Sequence, residues 1–210
     1  TSTRDVYAQS VANNGAKRWN EDGVLIAGED GRQEDPIIIS DDNGGGFISW
    51  RSYLNDPTYG ELYAQYINAN GTLSGVSQLI SGEIKIQVDS QQNMCSDREG
   101  GVYITWYADS GADDGNYYGT HIAYDGSVVG PIELINTIQN YGNVSLESAG
   151  QGEAVIAWKE GPWNAEDIYA QRIKVDIDTI EKVWNEGEPL VVSDAVGRQS
   201  SPKVTYYSDE

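Results

Sequence analysis

The sequence predicts an all-β protein of the β-propeller class, built from four-stranded antiparallel blades in about four repeats of 50–56 residues. Three observations predict it. The word "DVYAQ" at residues 5–9 returns as "ELYAQ" at 61–65 and "DIYAQ" at 167–171, with a degenerate copy at "NYYGTHI". Its tyrosines, Tyr7, Tyr63, Tyr118 and Tyr169, are spaced by 56, 55 and 51 residues. A second word keeps the same interval: "GFISW", "VYITW" and "AVIAW" end at Trp50, Trp106 and Trp158. A third, "GRQEDP" at 31–36, reappears as "GRQSSP" at 197–202, an offset of 166 that is close to three periods. Words sharing one period mark one structural unit copied along the chain, and a period of this length suits a propeller blade. The copies begin near 5, 61, 116 and 167 and fill 1–210 as a single repeat domain.

Each element follows from local pattern. "DVYAQSV", "ELYAQYI" and "DIYAQRI" are rich in Val, Ile and Tyr, and the Asn-Gly and Asp-Gly signals at "ANNG", "NANG" and "YDGS" favour tight hairpins. "PIIIS", "QNMCS" and "NVSLES" read as an inner strand that leads through "DDNGGG", "DREGG" and "GQG" into the strand ending in tryptophan. A weaker outer strand falls near "GVLIA", "SQLI", "IELI" and "PLVV". The order is inner strand, tryptophan strand, YAQ strand, outer strand. Helical solenoids are excluded because no 3.6-residue periodicity is present. The chain starts at a YAQ strand and stops after an inner strand, "PKVTYY", so one tryptophan strand is missing from the fourth copy. Two arrangements accommodate this: a four-bladed ring with a three-stranded blade made from both termini, or an excerpt of a larger ring.

Two-residue alternation puts Ile48 with Trp50, Ile104 with Trp106 and Ile156 with Trp158 on one face, and Ser49, Thr105 and Ala157 on the other. Large side chains therefore meet small ones between neighbouring blades. Ala8, Ala64, Gly119 and Ala170 take the small-residue part in the YAQ strand, and the adjacent glutamine is expected to satisfy backbone groups where blades meet. Burying an indole removes about 150–250 Å² from water, worth roughly 4–6 kcal/mol as an upper estimate. Packing alone thus accounts for the repeated tryptophans.

The combination of "DIYAQRI", a "GGxxIxW" strand and a "GRQxxP" segment resembles the blade repeats of large secreted and cell-surface bacterial propeller proteins. The resemblance spans nearly the whole chain. It implies an extracellular or cell-surface setting and a multidomain parent chain or assembly, and it specifies fold far better than activity.

Charge and composition exclude several function classes. Thirteen basic against thirty-three acidic residues give a formal charge of −20, which repels phosphate backbones and anionic membranes, so nucleic acid is not an expected partner. No apolar run approaches the roughly 20 residues that span a bilayer, so direct membrane insertion is not expected. With one cysteine and one histidine there is no disulfide framework, no ordinary zinc site and no basis for a Ser or Cys triad. Cys95 and Met94 align with Ile39 and Ile38 and are read as inner-strand packing, while His121 aligns with Ser10, Tyr66 and Arg172 and is read as an exposed, variable position. "SDDNGGGF" at 40–47 partly matches the Asp-box of sialidases through Ser40, Asp42 and Gly44, but it lies in a different hairpin and reads as turn chemistry.

Loop asymmetry supplies the functional expectation. Turns after the inner and YAQ strands are short. Loops after the tryptophan strand, at 51–61, 107–116 and 159–166, carry Tyr53, Tyr59, Tyr107 and Trp163 with Asp56, Glu160 and Glu166 among the carboxylates. Aromatics beside carboxylates on a rigid scaffold suit a glycan, a cation or a basic protein. "DSGADDGN" at 109–116 also brings together Asp109, Asp113, Asp114 and Asn116, oxygen ligands suited to calcium, although the spacing is not that of an EF-hand. The expected function is a non-catalytic extracellular binding or adhesion module for a glycan or protein partner. The alternatives are a carbohydrate-active enzyme whose active site is incomplete in this chain, and a structural spacer of a surface protein.

Overall fold

The computed structural model describes residues 4–54, 56, 58–84, 86–87, 91–109, 115–136, 144–205 and 207. The chain divides into two compact units, Thr1–Val88 and Asp89–Glu210, and each is all-β. Among the described residues the one helical element is a 3₁₀ turn at Trp184–Gly187.

The first unit opens with a two-stranded sheet of β1 (Val6–Ala8) and β2 (Val24–Ala27). Four strands follow in one antiparallel sheet, β3 (Gln33–Ser40), β4 (Gly46–Ser52), β5 (Tyr59–Ile67) and β6 (Leu73–Leu79), in the spatial order β3-β4-β5-β6. A short β7 (Ile86–Gln87) pairs with the start of β5. Inner, tryptophan, YAQ and outer strand thus lie side by side as the repeated words require. The turn between β5 and β6 shows why Asn-Gly closes it: Gly71 sits at φ 83°, where a Cβ is disfavoured, and its N–H reaches Asn68 O at 2.9 Å.

The second unit repeats the order. β8 (Gln92–Ser96), β9 (Val102–Asp109), β10 (Gly115–Ile122) and β11 (Val128–Asn136) form one antiparallel sheet. β12 (Ser145–Gly150), β13 (Glu153–Glu160) and β14 (Asp167–Asp176) begin the next. Its outer position is split between β15 (Thr179–Lys182), beside the end of β14, and β16 (Leu190–Ser193), beside its start. The end of the chain departs from expectation: residues 202–205, the described start of "PKVTYY", form no strand, because a strand exists only in a ladder and they have no ladder partner among the described residues.

Packing explains the recurrence of the words. Trp50, Trp106 and Trp158 are 3%, 0% and 3% exposed, and the small residues between them and their isoleucines, Ser49, Thr105 and Ala157, are buried too. Both faces of each tryptophan strand are therefore covered. Each indole lies against the YAQ tyrosine directly across the ladder, with ring centroids 6.0 Å apart for Trp50–Tyr63, 6.2 Å for Trp106–Tyr118 and 6.0 Å for Trp158–Tyr169. In the first unit Ile48, Trp50 and Ile67 pack on Val6, Ile26 and Ala27 of the two-stranded sheet. In the second, Ile156, Trp158 and Ile173 pack on Tyr103, Tyr117 and Leu134 of the preceding sheet. Met94 and Cys95 are buried as expected, and burial pushes the Cys95 thiol far up, with Glu147 and Asp97 adding to the shift.

The glutamines play a different part from the one expected. Gln65 Nε2 donates to Ser74 O at 2.6 Å, Gln9 Nε2 to Asn20 O at 2.7 Å, and Gln171 Nε2 to Glu188 O at 2.9 Å. In each case the acceptor lies nine to seventeen residues further on. The amide ties the YAQ strand to the outer segment of its own sheet.

Candidate functional site

The loop joining β13 to β14 projects one large aromatic into solvent. Gly161 turns it at φ 130°, where an added Cβ would meet Ala165 O at 2.8 Å, and Pro162 O accepts the Ala165 N–H at 2.9 Å. The loop ends in Glu166, whose side chain is wholly enclosed. Lys159 Nζ and Arg198 Nε both lie 3.3 Å from Glu166 Oε1, and the Gln199 N–H donates to Glu166 O at 3.0 Å. Burial opposes ionisation of Glu166, but a backbone hydrogen bond and the Lys159 and Arg198 charges outweigh it and hold its carboxyl below the usual range. One carboxylate thus anchors both ends of the loop and the segment beyond β16.

Trp163 rides on this anchored loop and is 69% exposed. The Arg198 guanidinium lies over its ring, 4.6 Å from the centroid. That contact fixes the indole plane and covers one face by cation–π attraction. Arg198 belongs to the second "GRQ" word, so this segment lies on the same side as the loop between β13 and β14.

The other aromatic candidates fall elsewhere. Tyr53 is not an exposed loop residue: it is 5% exposed, 4.5 Å from the Arg32 guanidinium, with its N–H on Arg32 O at 2.8 Å. The cation of the first "GRQ" word draws it inward. Tyr59 opens β5 and is half-buried beside Asp56, whose Oδ1 caps the Thr58 and Tyr59 N–H groups at 2.7 and 3.1 Å. Tyr107 lies in β9, half-buried, with its ring 5.3 Å from Tyr117 and directly above Gly115. Neither shares the exposure of Trp163.

Of the calcium candidates, Asp113, Asp114 and the side chain of Asp109 lie outside the described residues. Asn116 is described, and its amide donates to Glu133 Oε2 at 2.7 Å. Among the described residues no group of three or more His, Cys, Asp or Glu could hold a metal ion.

A cavity of about 240 Å³ lies between the two sheets of the second unit, lined by Leu134, Asn136, Ile156, Trp158, Glu160 and Lys182 among others. Trp158 Nε1 donates to Glu160 Oε2 at 3.0 Å, so this carboxylate serves the core indole.

One set of partners was missed in the sequence. His121 is buried at 7%, not exposed, and its Nε2 lies 2.9 Å from Asp97 Oδ2. Asp97 also accepts the Glu99 and Gly101 N–H groups at 2.7 and 2.8 Å, and Asp41 does the same for Asn43 and Gly45 at 2.8 and 2.9 Å. The residue after YAQ completes both sets, the Tyr66 hydroxyl on Asp41 at 2.6 Å and His121 on Asp97, and in the third full sheet Arg172 at that position pairs with Glu153 of β13 instead. Hydrogen bonds from these donors and from the backbone hold Asp41 and Asp97 below the usual carboxylate range against the opposing effect of burial. The signal was the repeated "SDxxGG" at 40–45 and 96–101, in which Asp41, not Asp42, takes the turn. No known family model matches the chain, and no curated protein matches it in sequence.

Proposed function

We propose that the chain is a non-catalytic, extracellular or cell-surface binding module of β-propeller type, and that Trp163 is the centre of its contact surface for a glycan or protein partner. Three sheets with one strand order, and one tryptophan–tyrosine stack at the same register in each, support the propeller reading. The resemblance to blade repeats of secreted bacterial proteins supports the setting and a larger parent chain or assembly.

The observation that carries the binding reading is the 69% exposure of Trp163 on a loop pinned by the Lys159–Glu166–Arg198 cluster. Every other tryptophan is at least half-buried. An indole held in a fixed plane loses little entropy on contact, and its free face suits the apolar face of a sugar ring or a partner side chain. Glycan-array binding of the 210-residue chain and of Trp163→Ala tests this. Binding that the substitution abolishes, with melting unchanged, supports the reading, whereas an array on which both proteins bind equally overturns it.

A further inference from the structure

The two "GRQ" words share more than sequence. Gly31 and Gly197 sit at φ 106° and 107°, and Asp35 and Ser201, each directly before proline, sit at φ 51° and 56°, a region that non-glycine residues rarely enter. Gln33 Nε2 donates to Glu29 O at 3.3 Å and Gln199 Nε2 to Ala195 O at 2.6 Å, both four residues back. The Gln33 N–H donates to Arg4 O at 2.8 Å and the Gln199 N–H to Glu166 O at 3.0 Å. Arg4 and Glu166 each precede the tyrosine of a YAQ word by three residues. The second copy therefore docks on β14 through the same backbone bonds by which the first copy docks beside β1.

Their continuations differ. After Gln33 the chain becomes β3 and pairs with β4 through Ile37↔Ser49, Ile38↔Ile48 and Ile39↔Phe47. After Gln199 the equivalent residues, Lys203, Val204 and Thr205, join no ladder among the described residues. The Val204 N–H donates to Ser145 Oγ of β12 at 3.2 Å, so alternation turns the main-chain groups of Lys203 and Thr205 to the opposite edge. Both residues are exposed.

We propose that residues 199–205 are a preformed extended edge that accepts, antiparallel, a segment of tryptophan-strand pattern from a partner polypeptide. The chemistry of the occupant is set by what lies on the first copy: a glycine-led strand of alternating large and small apolar residues, as in β4. An edge already held in its docked backbone orders few residues on pairing, and main-chain bonds supply affinity while the alternating side chains supply register.

The test uses the full chain and the peptide GGFISWRSY, the sequence of residues 45–53. Amide exchange at Lys203 and Thr205, read by NMR, is expected to slow at least about tenfold at saturating peptide, as ladder pairing protects it. Thr205→Pro, which removes one outward N–H in an exposed segment, is expected to abolish that slowing while near-UV circular dichroism stays unchanged. Three results would overturn the proposal: unchanged exchange at saturation, equal slowing by a peptide of the same residues in shuffled order, or slowing confined to Val6–Ala8 of β1.

Discussion

Trp158 and Trp163 are five residues apart and do opposite things. Trp158→Ala empties a site that is 3% exposed, so it should cost about 3–5 kcal/mol in urea unfolding. Trp163→Ala removes a ring that is 69% exposed, with Arg198 over one face, so stability should change by less than about 0.5 kcal/mol while partner binding falls. A Trp163→Ala loss as large as that of Trp158→Ala would make the ring a packing element. Asp97 makes a second test at this scale. Its folded carboxyl ionises below the unfolded value, so the unfolded state holds more protons in that window and stability rises with pH. The contribution is complete above the unfolded value near about 4 and is lost as pH falls through the folded one. Asp97→Asn, which weakens three charge-assisted bonds, should lower stability at pH 7 by about 1–3 kcal/mol, and the difference between wild type and variant should shrink as acid titrates the folded carboxyl. The tryptophans were legible in the sequence because their packing problem recurs at every copy. His121 was not, since its partner lies 24 residues away in the turn between β8 and β9 and the donor type changes from copy to copy.

At the level of the strand and sheet, the order of the four strands could be read from the words because each word has one neighbour on each side. Two features could not. The split of the outer position into β15 and β16 depends on the 3₁₀ turn at Trp184–Gly187, which has no counterpart among the described residues of the other sheets. The inward position of Tyr53 depends on Arg32, a contact across the sheet that spacing does not encode. Gly119 shows how far the copies have diverged: it stands where the other YAQ strands have alanine, yet an added Cβ would lie 2.5 Å from Leu134 Cδ1. Gly119→Ala should therefore destabilise by about 1–3 kcal/mol through overpacking, and Leu134→Val in the same chain should recover part of that loss. Additive losses in the double variant would show that the two side chains do not compete for space.

For the molecule as a whole, a charge of −20 leaves cations as the natural counter-species. Calcium held at 109–116 would raise the melting temperature with concentration, by about 2.7 kcal/mol of stability at a hundredfold excess over Kd. Differential scanning fluorimetry with millimolar calcium and then with chelator decides it, and an unchanged transition leaves a solvated turn. The propeller reading makes its own demand: in a crystal structure the strands ending in Trp50, Trp106 and Trp158 should superpose by rotations about one axis.

Because Trp163 alone of six tryptophans is exposed, the protein carries its own optical reporter. Indoles shielded from water emit at shorter wavelengths than a hydrated one, so the red edge of the emission belongs mainly to Trp163. A quencher in solution reaches that ring first, and the surrounding negative field should favour caesium over iodide there. A ligand seated on the free face would shift the red edge and shield it from caesium, while the light from the buried rings stays constant as an internal standard.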